Sequence, residues 1–180
     1  MNARSGSRIA FCGVAAALST VILLMTAVPI TEISLAALAG IVGIPVVIEV
    51  GKKYGVLVYA AVSVLALLLV PTLEGKGLYI AFFGYYPVLK AALEGRRLHR
   101  ALEWGIKFAV FNAAVIAAYW LMLAVFRLEK DTFVIGGVSL PWVFLPLGNG
   151  VFWLYDRCLS GLIGKYLALW QPRVQRLFKL

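Results

Sequence analysis

Two apolar segments contain glycine and proline within runs of aromatic residues, and these are the places best suited to bind a small molecule. One holds the run FFGYYP at 82–87, and the other holds PWVFLPLGNG at 141–150. Glycine and proline loosen a helix, and the backbone groups that they free need partners from protein, water or ligand. The rings of Tyr85 and Trp142 with the amide of Asn149 predict a site for a flat, partly polar molecule. The same rings would also suit a bundle core or a membrane interface.

Asparagine within an apolar helix must find a hydrogen-bonding partner. Asn149 is therefore the most informative polar residue of the chain, and Asn112 is the second.

The ionisable residues inside apolar segments all fall toward one end of those segments. They are Glu49, Lys90, Glu103, Lys107, Asp156 and Arg157. A proton relay needs carboxylates at staggered depths across the membrane, and residues clustered at one end do not provide them. We therefore expect salt bridges among helix ends. The only histidine, His99, lies in a basic loop without a metal-binding motif or a pair of catalytic acids around it. We therefore predict no catalytic residue, no metal and no cofactor, and a protein that is not an enzyme.

Six apolar segments must position these residues. The chain has 180 residues, 63% of them hydrophobic, with a mean hydropathy of +0.94. This composition predicts an all-α, polytopic membrane bundle that forms one domain over 1–180, with a short second helix that is either kinked or incompletely spanning. The six predicted helices cover approximately 8–28, 35–50, 54–70, 77–93, 101–126 and 140–170.

The positive charges divide unevenly between the loops. With the N-terminus inside, 14 of the 17 Lys and Arg residues face the cytoplasm, and only Lys76, Arg127 and Lys130 lie outside. This asymmetry predicts that both termini are cytoplasmic. We expect the membrane to be the inner membrane of a bacterial cell. The net charge of +9 then reflects topology and lipid contacts rather than nucleic acid binding, and we expect the basic tail from Arg173 onward to lie at the lipid surface.

The first helix carries small residues on one side. Ala10, Gly13 and Ala17 follow the small-xxx-small pattern that lets two membrane helices approach closely. The pattern favours either ordinary packing inside the bundle or docking onto a separate membrane subunit.

The size, the six helices, the small-residue helix 1 and the aromatic helices 4 to 6 together resemble the substrate-binding S components of energy-coupling-factor transporters. The resemblance implies uptake of a vitamin-like micronutrient, driven by a transmembrane coupling subunit and separate ATPases. It implies docking through Ala10, Gly13 and Ala17, and a ligand pocket that involves Tyr85, Trp120, Trp142 and Asn149. The segments 29–34 and 127–139 would cover this pocket, and the start Met1-Asn2-Ala3 lacks the histidine that the metal-ion branch needs.

A second hypothesis is a membrane scaffold that resembles the bacterial rod-shape-determining proteins. Such a scaffold would bind other membrane proteins and no small molecule. An aromatic-walled cavity under an external loop would distinguish the transporter subunit from it.

Overall fold

The computed structural model describes the backbone of residues 3–28, 30–96, 98–126, 134–135 and 138–178, and the side chains of 5–28, 30–96, 98–120 and 145–178. Helical structure dominates these residues. The helices are α1 (Ala3–Leu24), α2 (Glu32–Ile41), α3 (Gly43–Glu49), α4 (Lys52–Leu69), α5 (Leu73–Leu78), α6 (Tyr86–Glu94), α7 (Arg100–Phe126), α8 (Leu140–Lys165) and α9 (Gln171–Phe178). Two-residue strands β1 (Val134–Ile135) and β2 (Val138–Ser139) pair antiparallel.

Four helical stretches among the described residues are long and apolar enough to cross a membrane. They are Ser5–Ala27, Glu32–Glu49, Lys52–Leu69 and Arg100–Trp120. The prediction of a helical protein compatible with a membrane is thereby confirmed, because a helix satisfies its own backbone hydrogen bonds where water is absent.

The chain divides into two compact units. The first unit comprises Met1–Arg97 and Leu162–Leu180, and the second comprises Leu98–Gly161. In the first unit, α1 packs against α2 and α4 around a core of aliphatic and small side chains. The residues of that core with 2% exposure or less include Leu23, Ala36, Ala39, Val46, Val62, Ala66 and Val70.

The second predicted helix is interrupted, and the sequence explains where. Helix α2 ends at Ile41, and α3 begins at Gly43. Pro45 has no N–H to donate to Ile41, and its ring would clash with the carbonyl of that residue, so the regular hydrogen bonding of the helix stops there. The two parts together make one stretch long enough to span.

The region of the fourth predicted helix is interrupted. Helix α5 begins at Leu73, between the predicted helices 54–70 and 77–93, and five π-helical residues follow at Tyr79–Phe83. Helix α6 then starts at Tyr86 with Pro87 in its first turn, where a missing N–H costs no helical hydrogen bond.

The helical structure at the C-terminal end extends further than expected. A π-helical segment, Tyr166–Trp170, follows α8, and α9 continues to Phe178. Pro172 lies in the first turn of α9, so it begins a helix here instead of ending one.

Candidate functional site

The small-residue face of α1 is exposed in the first unit. Phe11, Ala15 and Ser19 are buried, and the Ser19 hydroxyl donates a hydrogen bond of 3.0 Å to the Ala39 carbonyl on α2. Ala10, Gly13 and Ala17 are instead all exposed. Packing against other helices of the first unit would have buried this stripe.

A shallow apolar groove of about 290 Å³ runs beside Gly13, between α1 and α4. Its walls are formed by Ile9, Cys12, Gly13, Ala16, Tyr54, Leu57, Val58 and Ala61. A methyl group built on Gly13 would meet no atom within 4 Å. The groove therefore has room for an apolar side chain from outside the chain, and it lacks the polar groups that would orient a vitamin-like molecule.

Tyr85 lies in an aromatic cluster next to the π-helical segment of the first unit. Its ring makes an edge contact with Tyr59 at a centroid separation of 5.8 Å and another with Phe82 at 6.1 Å. The Tyr59 hydroxyl donates to the carbonyl of Ile80 at 2.8 Å. That bond provides a partner for a carbonyl inside the irregular helix. Tyr85 itself is half-buried.

Gly40 allows this irregular segment to approach α2. A Cβ atom at Gly40 would collide with the backbone carbonyl of Phe83. Close packing of the two segments therefore requires a glycine at this position.

The two asparagines expected to need partners bind each other in the second unit. The Asn112 Nδ2 donates to Asn149 Oδ1 at 3.0 Å, and the Asn149 Nδ2 donates to Asn112 Oδ1 at 3.0 Å. Each Nδ2 also donates at 2.8 Å to the carbonyl four residues earlier, Phe108 for one and Leu145 for the other. Both N–H donors of each amide are thus used, and a ligand at Asn149 would meet an Oδ1 atom that retains one free lone pair.

The other two proposed ligand residues are Trp120 and Trp142. Trp120 is 53% exposed and touches Tyr119 edge-on at 6.2 Å. Trp142 belongs to α8, but its side chain lies outside the described residues, as do the side chains of 127–139. Tyr85 belongs to the first unit, and the other three belong to the second. The four-residue pocket therefore stays a prediction.

A buried ion-pair cluster joins α7 to α8 in the second unit. Lys107 is 1% exposed, and its Nζ lies 2.7 Å from a Glu103 carboxylate oxygen and 3.3 Å from one of Asp156. The same Nζ lies 5.2 Å from the centre of the Trp104 ring. A buried ammonium is tolerated when opposite charges surround it. Together with Lys90 and Glu94, whose charged groups are 2.6 Å apart, the cluster confirms the prediction of salt bridges among helix ends.

Glu49 has a role that sequence reasoning did not assign to it. Its carboxylate accepts a hydrogen bond from the Tyr166 hydroxyl at 3.2 Å and one from the Gln175 amide at 3.0 Å. The donors follow Glu49 by 117 and 126 residues, so no local pattern marks the contact.

Comparison with known proteins adds no relative to these observations. No family model matches the chain, and neither a curated protein nor a solved structure is significantly similar to it.

Proposed function

We propose that this chain is a membrane-embedded substrate-capture subunit, of the kind found in energy-coupling-factor transporters. It would bind a vitamin-like micronutrient and deliver it through a separate coupling subunit that ATPases drive. The observation that carries this proposal is the exposed small-residue face of α1, formed by Ala10, Gly13 and Ala17, of which Gly13 also lines an apolar groove. Small residues allow close backbone approach, which is how membrane helices gain packing energy when lipid offers no hydrophobic drive.

The proposal includes a topology with six membrane crossings and both termini in the cytoplasm of a bacterial cell. Four described helices have the length and composition for crossing. Helices α5 and α6 with the π-helical residues between them would supply a broken crossing, and α8 would supply the last. Broken helices are a common feature of transport proteins, where they surround the bound substrate.

The ligand residues in this proposal remain Tyr85, Trp120, Trp142 and Asn149. Two features favour them: Tyr85 is half-buried beside an irregular helix, and Asn149 lies in an otherwise apolar stretch of α8. Leucine in place of Asn149 should weaken binding of the micronutrient that co-purifies with the chain. Unchanged affinity would remove Asn149 from the pocket.

A substitution in the groove tests the docking surface directly. Gly13→Leu adds bulk at a position where the chain itself leaves open space, so the variant should fold and reach the membrane normally. We expect it to co-purify with far less of the coupling subunit than the unchanged chain does. Gly105→Leu is the matched control, because Gly105 is also an exposed helical glycine with no atom within 4 Å of an added Cβ.

Equal recovery of membrane partners by the two variants would show that the α1 face is not the docking surface. Recovery of cell-wall elongation proteins instead of ATPases would favour the scaffold hypothesis.

A further inference from the structure

Helix α9 has two faces of different character. Gln171, Val174 and Phe178 are partly buried, and Val174 and Phe178 pack against the core of the first unit. At about 100° per residue, these three share one side of the helix with Gln175. The opposite side presents Pro172, Arg173, Arg176 and Leu177, all exposed.

Contacts from two other helices hold the inner face of α9. The ring of Phe178 lies edge-on to Phe11 of α1, with a centroid separation of 4.9 Å. The amide of Gln175 donates to the Glu49 carboxylate, at the last residue of α3. A segment that contacts both α1 and the end of α3 lies across one end of the first unit.

This end of the first unit lies near the ends of two candidate membrane spans. Phe11 is six residues, or about 9 Å, inside the candidate span that begins at Ser5, and α3 ends at Glu49, where another candidate span ends. The exposed apolar side chains near α9 include Leu167, Leu169, Trp170 and Leu177. Tryptophan and arginine together are typical of this boundary, where a ring meets acyl chains and a cation meets phosphate.

Exposed arginines and lysines cluster at this end, where the exposed carboxylate of Glu94 pairs with Lys90. The Arg173 guanidinium carbon lies 5.9 Å from the centre of the Trp170 ring, and Arg176 follows one turn later. Lys52 and Lys53, both exposed, begin α4 three and four residues after Glu49. Glu49 is occupied by Tyr166 and Gln175, so its carboxylate faces the inner side of this segment.

We propose that the outer face of α9, centred on Arg173 and Arg176, binds the phosphate of anionic phospholipids. The chain's own core holds the apolar side of the helix, which leaves both guanidinium groups directed outward. Guanidinium binds phosphate oxygens in a bidentate manner, and its charge favours an anionic headgroup over a zwitterionic one. This inference does not rest on the proposed transport function.

Native mass spectrometry of the full, delipidated chain in detergent tests the proposal, with phosphatidylglycerol and phosphatidylcholine as the two probes. The unchanged chain should bind phosphatidylglycerol more tightly. In the R173Q/R176Q variant, affinity for phosphatidylglycerol should fall by roughly fivefold for each arginine removed, with little change for phosphatidylcholine. The R173K/R176K variant keeps the charge and should retain most of the preference.

The control variant is R100Q/R157Q, which removes two exposed arginines from the second unit. An equal loss of phosphatidylglycerol binding in both double variants would overturn the proposal, because net charge alone would then explain it. Equal binding of the two lipids by the unchanged chain would overturn it as well. Loss of an acidic protein partner from native membranes with lipid preference intact would assign the arginines to that partner instead.

Discussion

The amide pair shows how far single residues could be assigned from sequence. An asparagine in an apolar helix needs a hydrogen-bonding partner. Both asparagines could therefore be recognised from the sequence as residues with such a partner. Their pairing was not identifiable, because it depends on the relative rotation of α7 and α8. That rotation is also fixed by the stacked rings of Phe111 and Phe152, 4.7 Å apart, and by Lys107 against Asp156.

We expect the two amides to behave as one unit. Asn112→Leu should destabilise the chain by about 1 kcal/mol, because it leaves the Asn149 amide with an unused donor in apolar surroundings. The N112L/N149L variant should cost less than the sum of the two single variants, since it removes both polar groups. Thermal unfolding in detergent measures all three against the unchanged chain. Additive costs would mean that the amides do not depend on each other.

Among the elements, the long helices were the most predictable and the irregular ones the least. The predicted 101–126 corresponds to α7 at Arg100–Phe126, since a sustained apolar run has few alternatives to a helix in lipid. The π-helical residues at Tyr79–Phe83 are stabilised by Tyr59 and by the close approach at Gly40, and both contacts come from distant parts of the sequence. The extension of α9 likewise depends on Glu49 and Phe11, more than a hundred residues earlier.

Substitution of Glu49 tests what holds helix α9 in place. Glu49→Ala removes the acceptor for Tyr166 and Gln175, so the amides of 171–178 should open more readily. Hydrogen exchange of this segment should accelerate about fivefold, as the loss of roughly 1 kcal/mol implies. Glu74→Ala is the control, because Glu74 is an exposed carboxylate of the same unit. Equal exchange of the segment in both variants would mean that Glu49 does not hold α9 in place.

For the whole molecule, charge asymmetry predicts orientation without any packing information. Labelling of single cysteines in intact cells can test that orientation, after replacement of Cys12 and Cys158 by alanine. A membrane-impermeant maleimide should label a K76C variant from outside, because Lys76 lies in a predicted external segment. It should label an R96C variant only after the membrane is opened. The reverse pattern would invert the proposed topology.

We propose that this chain, with four helical stretches able to cross a membrane, captures a small molecule for a separate energised partner. The most direct measurement is affinity purification from native membranes in mild detergent, with mass spectrometry of the co-purifying proteins and metabolites. We expect a second membrane subunit, ATPases and a bound micronutrient-like compound, with the protein partners reduced by Gly13→Leu. Cell-wall or division proteins without a metabolite would contradict it and identify the chain as a scaffold.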